Sequence, residues 1–124
     1  MQGREMNVTV RVEGGKEISR ALKKTKGDIR KECEREIYAT GLDIQGQARD
    51  NLKALRAWKT GNLAGSIEVD PIKDGLTVEI GPTAPYGPYI EYGTVKMAAR
   101  PYLLPAYLAL VNELLKKIKE ILRR

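Results

Sequence analysis

Apolar positions recur along this chain with two periods, and the switches between them divide it into elements. Met6, Val8, Val10 and Val12 alternate with Asn7, Thr9, Arg11 and Glu13, the period of a strand with one buried face. Gly14-Gly15 ends it. From Lys16 the spacing turns helical, first over a short face of Ile18, Ala21 and Leu22. Thr25-Lys26-Gly27-Asp28 interrupts, because glycine is costly inside a helix and aspartate is a good N-cap. A longer helix then runs to about Ala57 on a stripe of Ile29, Cys33, Ile37, Ile44, Ala48, Leu52 and Leu55, mostly spaced by three, four or seven. Gly41 and Gly46 weaken it, as kinks or as places where another backbone approaches closely.

Trp58 to Ser66 is a cluster of helix breakers, with Trp58 as a lid on the core, Gly61 as a stop or turn, and Thr60 or Asn62 able to cap one short helical turn. Period two returns in Ile67–Asp70 and Leu76–Ile80 around the turn signal Asp74-Gly75, which reads as a β-hairpin. Ile67, Val69, Leu76, Val78 and Ile80 point inward; Glu68, Asp70, Thr77 and Glu79 point outward. In the next stretch, Pro85 and Pro88 argue against a central strand. Tyr86, Tyr89 and Tyr92 are three apart, so one helical or 3₁₀ turn places them on one side. Val95 to Ala99 reads as an exposed loop. Pro101 and Pro105 suit a helix entry. From Ala106 the stripe Leu108, Val111, Leu115, Ile118 and Leu122, widened by Tyr107, Leu110, Leu114 and Ile121, predicts a final helix with a basic end. The expected fold class is α+β: a small antiparallel sheet packed against a long N-terminal helical segment and a C-terminal helix, with residues 1–124 as one domain.

Charge refines this picture. The net charge is +6, but it is unevenly placed. Residues 1–59 carry fourteen Lys/Arg against nine Asp/Glu, residues 60–99 two against five, and residues 100–124 six against two. The flanks are basic and the middle, one face of the small sheet, is acidic. Most bases sit among acids at helical spacing, as on a solvated helix face, and the basic stripe interleaved with aromatics that marks a general nucleic-acid binder is missing. A chain of 124 residues can bury a core without disulfides. The single Cys33 suits a buried small side chain and a cytoplasmic folding compartment. No apolar run is long enough to span a bilayer, and no secretory signal is evident.

Catalytic patterns do not emerge. With no histidine, Ser–His and Cys–His chemistry and most transition-metal sites are excluded. No glycine-rich phosphate loop is present. The expectation is a protein that is not an enzyme, with no cofactor and no metal, in which the tyrosine-rich stretch, with Glu91 and Arg100 as its lone acid and base, serves packing or assembly.

Three short stretches carry a family resemblance: Thr60-Gly61-Asn62-Leu63 with Ser66-Ile67, Tyr89-Ile90-Glu91-Tyr92-Gly93-Thr94, and Arg100-Pro101-Tyr102-Leu103 with Pro105-Ala106. Their order, after a long basic helix and before a C-terminal one, resembles the siphophage and prophage tail-component family, the head–tail joining and tail-completion (terminator) proteins. The resemblance implies a subunit of the virion neck or tail, made in the host cytoplasm. It would assemble into a hexameric ring that meets the tail-tube protein and a head–tail connector protein and lets DNA pass without specific binding or any membrane. Tyr86, Tyr89, Glu91, Tyr92, Arg100 and Tyr102 are the expected interface residues, with Glu91 and Arg100 as a locking pair within or between subunits. Glu68, Asp70 and Glu79 are the expected lumen-facing acids. The alternative from another class is a small basic nucleic-acid-binding protein of the same mobile element, and a capsid-associated neck protein touching the portal is a third reading.

Overall fold

A computed structural model describes residues 8–13, 27–55, 60–72 and 75–123. The elements are β1 (Val10–Glu13), α1 (Asp28–Leu55), α2 (Thr60–Gly65), β2 (Ile67–Ile72), β3 (Thr77–Pro82), α3 (Gly87–Tyr92) and α4 (Leu103–Leu122). This is the expected α+β class, a three-stranded antiparallel sheet with two long helices. The expected Gly14-Gly15 stop, the helical stretch with Ile18, Ala21 and Leu22, and Trp58 lie outside the described residues, as do Met6, Asn7 and Asp74.

The long apolar stripe becomes the buried face of α1. Cys33, Ile37, Ile44, Ala48 and Leu52 have no exposed surface, and Ile29 and Leu55 pack at its ends. Burying each large aliphatic residue contributes about 1.5–3 kcal/mol. Gly41 sits where α1 crosses the sheet: a Cβ there would lie 2.9 Å from Val78 Cγ1 and 3.1 Å from Val69 Cγ1. Close approach is therefore its role, against side chains and not backbone. Gly46 faces open space and serves no such contact.

In the sheet, β3 is central and β1 and β2 are the edges. Val10 and Val69 both lie opposite Ile80, and Val12 and Pro71 opposite Val78, which makes the inner rows. Arg11, Glu79 and Asp70 align in the adjacent outer row. The hairpin and its inward and outward sets are as expected. One boundary differs: β2 continues through Pro71 to Ile72, because an edge strand tolerates a residue without an N–H. β3 likewise runs on through Gly81 and Pro82. Gly75 at the hairpin turn has φ +82°, a conformation glycine takes without strain.

Helix α4 lies antiparallel to α1. Asn51 Nδ2 donates to the Tyr102 carbonyl at 3.0 Å near one end, and Lys117 Nζ stands 3.9 Å from Glu36 Oε2 toward the other. Its phase differs from the expected one. Leu103, Ala106, Leu114, Ile118 and Ile121 are buried, whereas Leu108, placed on the main stripe by spacing alone, is 58% exposed. The helix is apolar around more than half its circumference, so periodicity leaves its rotation open. Fully buried Tyr102 and Leu103 at its start fix it.

Candidate functional site

The second and third of the resemblance motifs meet in one joint between the sheet and α4. Pro88 enters the first turn of α3, where a missing N–H is harmless. The short helix buries Gly87, Pro88, Ile90 and Glu91 and turns Tyr89 and Tyr92 outward, 41% and 57% exposed, with Tyr86 half-buried. Tyr89 and Tyr92 thus share the side away from the core, as their spacing predicts, whereas Tyr86 packs partly against the core. Gly87 fits a narrow space: a Cβ would come within 2.5 Å of Pro82 Cγ and 3.0 Å of the Tyr102 hydroxyl.

Gly93 then reverses the chain with φ +79° and ψ 176°, a region essentially closed to other residues. The following loop turns tightly, with the Thr94 amide donating to the Met97 carbonyl at 2.8 Å and the Met97 amide returning to Thr94 at 3.2 Å. The Arg100 amide donates to the Ile90 carbonyl at 2.7 Å, which brings the chain back to α3. The expected exposed loop is there, and Val95 at its tip is wholly exposed.

Glu91 is the centre of the joint. It is 4% exposed. Its Oε1 accepts from the amides of Tyr102 at 3.1 Å and Leu103 at 2.8 Å, and its Oε2 from the Leu104 amide at 3.2 Å. These are amides at the start of α4, which have no partner inside the helix. The carboxylate also faces the positive end of the helix dipole. Charge-assisted bonds of this kind offset the cost of burying the acid. Beside it the Tyr102 hydroxyl donates to the Gly87 carbonyl at 3.0 Å. Burial, then the Glu91 carboxylate, then Tyr92 push the ionisation of that hydroxyl well above the ordinary tyrosine range.

Within the subunit the expected locking pair does not form. Among the described residues no ion pair joins Glu91 to Arg100; the acid is held by backbone amides, and the Arg100 side chain is exposed. Glu91 and Tyr102 are buried within the subunit, between α3 and α4. They build the joint, while Tyr86, Tyr89, Tyr92 and Arg100 form its accessible side.

The acidic sheet face is also modified. Glu68 and Asp70 are exposed, but Glu79 Oε2 receives Arg11 Nε at 2.7 Å, so a base from β1 shares the row. Sequence reasoning missed three long polar side chains on α1. Gln45 Nε2 donates to the Ile67 carbonyl at 2.7 Å, Arg49 Nε to the Ala64 carbonyl at 2.9 Å, and Asn51 Nδ2 to Tyr102. The first two hold the turn after α2, where Leu63 is fully buried. Their signal was four-residue spacing along the border of the apolar stripe. Cys33 is buried, as expected of a small apolar side chain; burial, then Glu32, Glu34 and Glu36, raise its thiol pKa. No described helix is long and apolar enough to cross a membrane.

Comparison with protein families supplies what geometry alone cannot. The family model described as "Bacteriophage HK97-gp10, putative tail-component" matches residues 16–93. This chain belongs to that phage tail-component family. The match spans more than half of the chain and takes in the α2 motif and Glu91, ending at Gly93. The Arg100–Ala106 motif lies beyond it, yet it is bonded to the matched part through Glu91. No curated protein and no solved structure matches the tail-component chain.

Proposed function

We propose that this tail-component chain is a structural subunit of the head–tail junction of a tailed phage or prophage. It assembles into a ring that completes or terminates the tail tube and joins it to the head. The observation that carries the reading is the joint itself. A buried carboxylate, a buried tyrosine and a glycine-locked loop stiffen the link between sheet and α4, and all of this supports an outer surface of Tyr89, Tyr92 and Val95. A rigid connection that displays aromatic and aliphatic side chains suits contact with another protein.

The partners in this reading are further copies of the chain, the tail-tube protein and a head–tail connector protein, in the virion tail or neck. The work is assembly and not catalysis. Glu68, Asp70 and Glu79 line the lumen, where like charge lets DNA slide without adhering; the Arg11–Glu79 pair lowers the charge of that face without reversing it.

Light scattering on the chain alone, with the cognate tail-tube protein, and with duplex DNA tests this. The expected result is a ring-sized species, alone or with tube protein, indifferent to DNA. A monomer that ignores tube protein and binds DNA with affinity falling steeply in salt would overturn it in favour of nucleic-acid binding through the exposed Lys116, Lys117, Lys119 and Arg123.

A further inference from the structure

Seven large apolar side chains are exposed among the described residues, and they occupy two places. Tyr89, Tyr92, Val95, Leu104 and Leu108 form a ridge on the joint and the first turns of α4. The ridge is held together by Glu91, which is Tyr92's chain neighbour and accepts from the Leu104 amide. Aromatic side chains bury 150–250 Å² each when fully covered, so at the observed exposures these five show on the order of 500 Å². A standard interface takes roughly 800 Å² per partner, a little over half of it apolar. The ridge alone supplies that apolar share.

The other two, Tyr38 and Leu42, line a groove of about 560 Å³ between α1 and the β2–β3 hairpin, closed by Ala39, Pro71 and Val78. Ridge and groove cannot meet within one chain. The ridge stands by the end of α1, near Asn51, and the groove by its first half. They also lie on opposite flanks: Lys117 marks Glu36 as the side of α1 facing α4, and Tyr38 and Leu42 are about 200° and 240° further round the helix. A contact of ridge with ridge would leave the groove open. One contact of ridge with groove covers both surfaces, and it is head-to-tail, the type that closes rings.

Charged residues border both surfaces. The ridge is bordered by the exposed cations Lys96 and Arg100. The α1 wall of the groove carries Glu34 between Lys31 and Arg35, and the hairpin wall carries Pro71, Gly75 and Val78. We propose that the ridge of one copy, led by Leu104 and Leu108, seats in the Tyr38–Leu42 groove of a second copy. This rests on the ring reading and assigns the surfaces that meet.

The test is disulfide trapping. Cys33 is buried and needs no replacement; the parent chain is the control. Chains carrying Leu108→Cys are mixed with chains carrying Tyr38→Cys and oxidised, since a disulfide forms only between Cα atoms within about 7 Å. The expected result is a cross-linked dimer in the mixture and none with either variant alone. Leu108→Glu should abolish the ring-sized species in light scattering with the melting temperature unchanged, because Leu108 is exposed in the subunit. A ring that persists in Leu108→Glu, or one that yields no mixed cross-link, overturns the docking and leaves the ring reading standing. A chain that stays monomeric with and without tube protein overturns both.

Discussion

Two turns in this molecule are held by side chains reaching across to backbone, and they are built in opposite ways. At the turn after α2, Gln45 and Arg49 extend from the border of α1 and donate to the carbonyls of Ile67 and Ala64. At the joint, the buried Glu91 accepts from three amides at the start of α4. The first turn is part-buried, so water can replace a lost donor. The second is closed around Tyr102 and Leu103, so a lost acceptor leaves their amides with no partner. The same number of atoms at each place therefore carries unequal stability, because an unsatisfied buried group costs more than a hydrogen bond contributes.

The largest expected effect comes from that inequality. Glu91→Ala should destabilise the chain by about 4 kcal/mol in urea unfolding, as expected when one side of a buried charged network is removed. Glu91→Gln keeps the acceptor at two amides but turns its NH₂ toward the third, and should cost about half as much. If Glu91→Ala proved as mild as a surface substitution, the contrast between the two turns would collapse.

Next in size is Gly93→Ala, at about 3 kcal/mol. The substitution combines a backbone region that only glycine visits readily with a Cβ placed 2.7 Å from the Ala99 amide nitrogen and 2.8 Å from the Met97 carbonyl oxygen. Gly46→Ala, on the same scale, should be neutral or slightly stabilising, because that position is helical and open. The pair separates a glycine required by the joint from one that is merely present, by thermal or urea melts alone.

How legible these features were depended on the distance over which each acts. The strands, the hairpin and the buried stripe of α1 repeat within a few residues, so their periods showed in the sequence. The rotation of α4 did not show, because Leu104 and Leu108 are as apolar as Leu103 and Leu114; burial of Tyr102 and Leu103 decided it. Glu91 was visible as the lone acid of an aromatic stretch, but charge alone suggested Arg100 as its partner. Its actual partners are amides eleven to thirteen residues away, which carry no side-chain signal. The groove under Tyr38 and Leu42 joins α1 to the hairpin and has no local pattern at all.

Tyr102 sharpens the comparison through pH. In the folded chain its ionisation is displaced upward, first by burial and then by Glu91. A tyrosine ordinarily ionises near 10. The stability held by the neutral hydroxyl is therefore fully present below about pH 10 and declines above it, by about 1.4 kcal/mol per pH unit, as the unfolded chain loses the proton first. Tyr102→Phe should cost about 1.5 kcal/mol at neutral pH, for the bond to the Gly87 carbonyl. Above pH 10 its stability should fall less steeply than the parent's. Parallel alkaline slopes would remove Tyr102 from the joint's energetics.

The smallest effects belong to the other turn, and they bear on the comparison most directly. Gln45→Ala and Arg49→Ala should each cost about 1 kcal/mol, the net worth of a hydrogen bond whose carbonyl can turn to water. Both bonds hold the same stretch between Leu63 and Ile67, so once one is lost the turn is freer and the second holds less. The double variant should therefore cost less than the two single costs added together. At the joint the departure from additivity should be larger, because Glu91→Ala and Tyr102→Phe remove groups linked through one buried network. A coupling energy near zero there, with strong coupling at the α2 turn, would reverse the assignment of which turn is the rigid one.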